Sequence, residues 1–450
     1  MITGKTLIDL GYKPGKWFKS AIDHINQFNL TGEFLTDYLE SAQPKYLEPY
    51  CAPLPFYQNI RAESDHEKDN VEKVISVMNQ IMVTPTVVTG AVMPDACPTG
   101  EGQIPVGGIV VTRNAIHPSM HSADICCSVM ATNFGNVSPK LILDSALSIT
   151  HFGAGGREKF STLPSELEAK ILDNSFLNSD KSLGLAKGHL GTQGDGNHFL
   201  FVGTSRNTGE TVMVTHHGSR GFGAYLYTQG VKVAKTFLKD IAPKASENNA
   251  WIPADTKEGE SYWQALQIVR TWTKLNHTTL HDAVSNNIKV DPLDRFWNEH
   301  NFVFKDGDLF YHAKGATPLD NKFVPDSVNG LRLIPLNMSE PILVVKGTTS
   351  ESNLGFAPHG AGRNFSRAQH KSSIDTSPEQ TFINETKGLD IRFYSKQIDV
   401  SELPSAYKNA NTVRKQMEEF DLGQVIDEII PYGCIMAGHF DNTFWKKKNK

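Results

Sequence analysis

Apolar positions recur at near-helical spacing in two stretches at the start of the chain. Leu7, Ile8 and Leu10 serve the first; Trp17, Phe18, Ile22 and Ile25 serve the second. Gly11-Tyr12-Lys13-Pro14-Gly15 separates them, so residues 5–28 predict two short amphipathic helices. Cys51-Ala52-Pro53-Leu54-Pro55 then sets two prolines where neither a helix nor a central strand continues. This boundary marks 1–55 as a small N-terminal helical extension and 56–450 as a larger unit. Beyond it, His66–Met82 reads as a helix, Thr84–Met93 as β-rich and Gly107–Thr112 as a buried strand. Pro139–Ile149 and Pro164–Leu177 read as helical, Val212–Thr215 as a strand ending on His216-His217, and Ser261–Asn287 as the clearest long helix. Short strands return at Leu309–His312 and Ile342–Lys346. The alternation is irregular and lacks a steady βαβ rhythm, which predicts an α+β fold: a mixed sheet core with surrounding helices.

The chain has 450 residues, 39% hydrophobic and 21% charged, enough to bury a large core without staples. Lys and Arg number 44 against 49 Asp and Glu, a net charge of −5, which excludes a polycation that binds nucleic acid by bulk charge. The closing Trp445-Lys446-Lys447-Lys448-Asn449-Lys450 reads as a short solvated basic tail. Five cysteines, two of them adjacent, read as reduced thiols. The first residues lack the apolar core of a signal peptide, and no run of 18 apolar residues occurs. A cytoplasmic protein with no membrane partner is expected. Sixteen histidines stand out.

Several short motifs carry candidate chemistry. Met93-Pro94-Asp95 opens a turn-rich loop that reaches Gly107-Gly108. Asp124 and Cys127 stand three positions apart, so one tight turn aims both side chains at one point. Gly191–Phe199 is glycine-rich, with Asn197 and His198 at its exit. His216 and His217 end a strand ahead of Gly218-Ser219-Arg220, and in extended backbone they face opposite ways, so at most one is a metal ligand. His300-Asn301 and His312-Ala313-Lys314-Gly315-Ala316-Thr317 follow. Last comes His359-Gly360-Ala361-Gly362-Arg363, where small residues expose a histidine with an arginine four positions on, a place to hold a phosphate against an imidazole. Asp124, Cys127, His198, His216 and His300 together offer five ligand-type side chains. A thiolate able to bridge suits two ions with open positions, and the O, N and S mixture fits Mn²⁺, Zn²⁺, Fe²⁺ or Co²⁺ better than Mg²⁺ or Ca²⁺. His24, His66, His151, His189, His277, His281, His370 and His439 read as surface or satisfied core residues.

In order, MPDxxxxG, PxGG, DxxC, GNHF, HxGSRGxG, HN, HxKGAT and HGAGRxxSR stand between 93 and 367, and this series resembles the RtcB family of RNA-splicing ligases. The resemblance implies an RtcB-like catalytic domain that joins an RNA 3′-phosphate or 2′,3′-cyclic phosphate to a 5′-hydroxyl, in RNA repair or tRNA splicing, using GTP and two Mn²⁺ ions. It implies Asp124, Cys127, His198, His216 and His300 as metal ligands, with Cys127 between the ions, and His359 as the residue that becomes guanylylated. It places Asn197 near the nucleotide phosphate. Gly360, Gly362 and Arg363 are taken as nucleotide contacts, and Arg220 and Lys314 as candidate phosphate clamps. The implied partners are RNA ends, of tRNA or of damaged RNA; an activating protein is left open.

The chain departs from the family pattern at several places. Cys97 stands where the family usually has His. Phe201 stands two positions after the phenylalanine of GNHF, where the family commonly has an acidic residue on the guanine edge. Pro335-Leu336-Asn337-Met338-Ser339 replaces a PGSMG-like stretch, and Met436-Ala437-Gly438 stands where family chains tend to end in Lys-Gly. Metal-site matches persist while base-recognition positions drift. The alternatives are therefore a ligase with altered nucleotide preference, a metal-dependent RNA cyclic-phosphate phosphoesterase without ligation, and a non-catalytic RNA-binding homologue.

Overall fold

The structure, a computed structural model, describes residues 1–15, 17–158, 162–327 and 329–440; the basic tail Trp445–Lys450 lies outside the described residues. An α+β fold is observed. Helices Gly4–Asp9, Trp17–Phe28 and Gly32–Ala42 open the chain and gather around Leu7, Phe18, Ala21, Ile25 and Leu39, a core of their own. The third of these helices was not expected from the sequence. The chain then runs along the main body, where Leu47, Tyr50 and Leu54 donate backbone hydrogen bonds to the carbonyls of Ile241, Val83 and Met82.

One sheet has five strands in the order Tyr57–Gln58, Val87–Cys97, Val106–Arg113, Leu309–Lys314, Asn301–Asp306. The first pair is parallel and the rest antiparallel. The expected loop at 93–97 is the end of the second strand, kept in the ladder by a register shift between Val92 and Cys97.

The larger sheet runs in the order Arg332–Pro335, Ile342–Lys346, Gln424–Met436, Phe199–Ser205, Thr211–His217, Ser128–Asn133, Asp294–Glu299, every neighbour antiparallel, with Asp390–Phe393 added in parallel beside Gln424–Met436. Its two ends approach each other: Leu333 N–H donates to Asn298 Oδ1 at 2.8 Å, so the sheet is a nearly closed barrel. Inward residues such as Val129, Ala131, Phe201, Val214 and Leu333 fill it.

The helix Lys257–Ile288 carries the rest of the core. Thr256 caps it by accepting from Gly259 N–H, Glu258 and Glu260 sit favourably in its first turn, and Lys289 ends it in the left-handed conformation at φ 57°. Tyr262, Leu266, Val269 and Trp272 bury its apolar face. Further along, His277 and His281 turn inward, where both contact Thr215 Oγ1. His277 also meets Ser128, and His281 meets Thr132. These two are satisfied core histidines, as expected.

Candidate active site

Strand direction assembles the site. In an antiparallel sheet the start of one strand lies beside the end of its neighbour. His198 precedes Phe199–Ser205 and Cys127 precedes Ser128–Asn133. His216 closes Thr211–His217, and His300 follows Asp294–Glu299. Those four strands are consecutive in the sheet, with Phe199 opposite His216 and Ser128 opposite both His217 and Glu299. All four ligand-type residues therefore reach one rim.

At that rim Cys127 Sγ lies 3.2 Å from His216 Nε2 and 3.6 Å from His198 Nε2. His216 Nε2 is 3.2 Å from His300 Nε2, and His198 Nε2 is 3.2 Å from Asp124 Oδ2. Two donor groups result, Cys127–His216–His300 and Asp124–Cys127–His198, each with ligand atoms within 4.8 Å of one another and with Cys127 common to both. The outer nitrogens are engaged elsewhere. His198 Nδ1 is 2.7 Å from Gln193 O and His216 Nδ1 is 3.1 Å from Asn197 O, which fixes the tautomers that turn Nε2 lone pairs inward. His217 points the other way and stacks on His277, as alternation along a strand requires.

The turn that supplies Asp124 and Cys127 is tight: Cys127 N–H donates to Asp124 O, and Cys126 takes φ 58°. Asn301 braces it, accepting from Cys126 N–H and Gly315 N–H and donating to Asp124 O. Gly218 is required here because a Cβ would stand 2.0 Å from Asp124 Oδ1.

The electrostatics suit a cation. Burial, reinforced by neighbouring imidazoles, pushes His216 and His300 well below the usual histidine range, which keeps them neutral and able to donate a lone pair. Burial raises the Asp124 carboxyl, but the hydrogen bond it shares with His198, with that of Cys127 and the nearby Arg220 charge, outweighs it and holds the group below its ordinary value. Burial, then the Asp124 carboxylate, push the Cys127 thiol well up, and a coordinated cation is what reverses such a shift. Buried, neutral, inward-facing N and S donors beside a carboxylate fit a borderline transition metal.

His359 follows the short strand Phe356–Pro358, which pairs with Ala316–Pro318. Ala316 N–H in turn donates to His300 O. The His359 ring centroid lies 4.9 Å from that of His300. Its Nδ1 is 2.5 Å from Asp95 Oδ2, and its backbone N–H donates to the same oxygen at 3.0 Å. Asp95 is fully buried. The carboxylate fixes the Nδ1–H tautomer and leaves Nε2 as the basic nitrogen. Sequence reasoning assigned Asp95 no role, because its partner is 264 positions away.

A cavity of about 480 Å³ joins these parts and is lined in addition by Asn197, Lys314, Gly360, Gly362 and Arg363. Gly362, at φ 72°, packs so closely that a Cβ would meet Asp95 O at 2.0 Å. Arg363 is largely committed within the protein: its guanidinium donates to Ser401 O and Glu402 Oε2, both at 2.6 Å, and stacks on Tyr407. Lys314 Nζ donates to Ile104 O, and burial lowers its pKa. Arg220 does not line this cavity. It donates to Thr192 Oγ1 and Gly153 O and lines a second, more open cleft with Arg157 and Arg367; the two cavities share Asp124, Asn197 and Arg367.

A nearly closed barrel whose rim gathers sulfur, nitrogen and oxygen donors beside a carboxylate-held histidine defines an α+β protein able to hold a metal ion. The family model described as tRNA-splicing ligase RtcB matches residues 153–437. The chain belongs to the RtcB family. It is 24% identical to the tRNA-splicing ligase RtcB of Archaeoglobus fulgidus, over 89% of this chain and 97% of that one. It is 26% identical to the RNA-splicing ligase RtcB of Mycobacterium tuberculosis over 57% and 67%. With the RNA-splicing ligase RtcB of Escherichia coli K12 it shares 24% identity over 77% and 89%. Among the described residues no helix is long and apolar enough to cross a membrane, and all five cysteines are free.

Proposed function

We propose that this protein is an RNA ligase that joins an RNA 3′-phosphate or 2′,3′-cyclic phosphate end to a 5′-hydroxyl end through a nucleotidylated His359. The observation that carries the reading is the placement of His359, held at Nδ1 by Asp95, against the donor group of His300, His216 and Cys127. Residues 56–450 form the catalytic unit and 1–55 its helical extension. Asp124, Cys127 and His198 would hold one metal ion, and Cys127, His216 and His300 would hold a second, Mn²⁺ by the family resemblance. Such ions supply positive charge that offsets the repulsion between a phosphate and an incoming nucleophile.

The chain's own residues account for the remaining requirements. The Nε2 lone pair of His359 forms an N–P bond to the α-phosphorus of a nucleoside triphosphate, GTP by the family resemblance. The bond from that phosphorus to pyrophosphate breaks, and its electron pair leaves with pyrophosphate. Asp95 balances the positive charge that appears on the ring while keeping the Nδ1 proton. The terminal 3′-phosphate oxygen of the RNA then takes the nucleotidyl group from Nε2, and the 5′-hydroxyl displaces the mononucleotide from the activated end, giving up its proton. Asn197, Gly360, Gly362, Lys314 and Arg363 contact the nucleotide, Arg363 while paired with Glu402. Arg220, with Arg157 and Arg367 in the open cleft, receives the RNA phosphates.

Incubation of the protein with Mn²⁺ and each nucleoside triphosphate, followed by intact-mass measurement, is expected to show one added nucleoside monophosphate, mapped to His359. RNA bearing 3′-phosphate and 5′-hydroxyl ends is expected to be sealed. No adduct with any of the four triphosphates sinks the proposal. Cyclic-phosphate opening that persists in His359→Ala but not in Cys127→Ala, without sealing, replaces it with a phosphoesterase.

A further inference from the structure

The main cavity has two chemically different ends. At one, the donor groups and His359 stand near Arg363 and Arg367, which hold Glu402 between them at 2.6 and 2.8 Å. Two guanidiniums against one carboxylate leave a net positive charge, which suits the anionic part of a nucleotide. The other end follows from strand register. Phe199 lies opposite His216, with ring centroids 5.2 Å apart. Phe201 is two residues on, facing the same way one pleat further from the imidazoles. On the other flank their ladder partners are Met436 and Cys434. Met338 and Ile342 belong to the same packed cluster and line the cavity with them. Phe201 and Cys434 are 2% and 1% exposed. This end is aromatic, aliphatic and sulfur-bearing, and no carboxylate lines it among the described residues. Asn337, the amide nearest in sequence to Met338, has its Oδ1 taken by Ser339 N–H.

A triphosphate whose α-phosphate meets His359 must place its base in this apolar end, because the other end is occupied by its phosphates. Guanine brings N1–H and a 2-amino group, three N–H donors on one edge, whereas adenine brings only the two of its 6-amino group. A buried donor without an acceptor is penalised. The flat face of either base gains equally from Phe201 and the sulfurs.

Resting on the nucleotidyl transfer proposed above, we infer that the apolar end around Phe201 selects adenine over guanine, so that ATP is the preferred donor to His359. One fewer orphaned donor corresponds to a preference on the order of tenfold.

The full-length protein is incubated with Mn²⁺ and each of the four α-³²P-labelled triphosphates, and acid-labile, alkali-stable label on His359 is counted. ATP and GTP binding are measured in parallel by equilibrium dialysis. ATP is expected to label faster and bind more tightly than GTP, by on the order of tenfold. Phe201→Glu, which adds an acceptor, is expected to move the ratio towards GTP, with Phe201→Gln as a gentler variant and circular dichroism to check folding. GTP labelling the unmodified protein as well as or better than ATP overturns the inference and leaves nucleotidyl transfer standing. No label from any triphosphate overturns both.

Discussion

Replacing Asp95 with Asn separates the orientation of His359 from the metal centre. The amide keeps the size of the carboxylate but not its charge, and the site is fully buried. In the native protein one oxygen, Oδ2, receives both the ring Nδ1–H at 2.5 Å and the backbone N–H of His359 at 3.0 Å. Charge-assisted bonds are about twice as strong as neutral ones, so the exchange forfeits roughly 1–1.5 kcal/mol of orientation. Loss of the counter-charge to the ring cation formed during transfer adds about 1 kcal/mol. A total of about 2 kcal/mol corresponds to a fall of about 30-fold in single-turnover nucleotidylation. Asp95 Oδ1 has no hydrogen-bond partner among the described residues, so an Asn Nδ2 placed there is an unpaired buried donor that costs about 1–3 kcal/mol of stability. The assay is quenched-flow labelling of His359, with metal content measured on the same sample. Asp95 belongs to neither donor group, so bound metal is expected to be unchanged. A folded Asp95→Asn protein that labels within threefold of the unmodified rate refutes the reasoning.

Three further outcomes can be checked. Cys127→Ala removes a donor from both groups and His198→Ala from only one; plasma mass spectrometry of purified protein should find metal nearly absent from the first and about halved in the second, and equal losses would contradict the sharing. Burial pushes His117 down to about 3, its Nε2 lying against Thr86 Oγ1 and its Nδ1 against Asn249 O, and pushes His121 down to about 4. The unfolded chain protonates both near pH 6.5, so their stabilisation is complete above that value and fades as the pH falls towards the folded values, by about 3 kcal/mol each at pH 4. Urea midpoints across pH 4–7 should therefore slope less in His117→Gln, and superimposable slopes would count against it. Gly362→Ala forces a Cβ against Asp95 O at φ 72°, so a loss of about 2–4 kcal/mol and of His359 labelling is expected from thermal melts and the same adduct assay.

Local pattern carried much of this architecture, and its failures have causes. The pairs Asp124/Cys127 and His216/His217 were readable because turn and strand geometry act over three residues or fewer. The 22-residue helix Arg220–Ile241 was not, because Gly221, Gly223 and Gly230 interrupt its helical signal. Tertiary packing explains two of these glycines: a Cβ at 230 would lie 2.4 Å from the Tyr262 ring, and one at 221 would lie 2.6 Å from the His189 ring. The 13-residue strand Gln424–Met436 was hidden by Pro431 and Gly433, which sit at a register shift against Phe199–Ser205. Asp95 looked like part of a turn because Pro94, Pro98 and Gly100 surround it. The rim of four strand ends depends on strand order, which no local window contains.

The lone sulfur common to both donor groups gives the centre a single point of failure. If both groups hold metal, alkylating or oxidising Cys127 would remove a donor from each at once, so damage there would be all-or-none rather than graded. At 3% exposure beneath two imidazoles, that thiol is shielded from bulk oxidants and electrophiles. In a cell under oxidative load the fraction of working molecules should thus track the integrity of one atom.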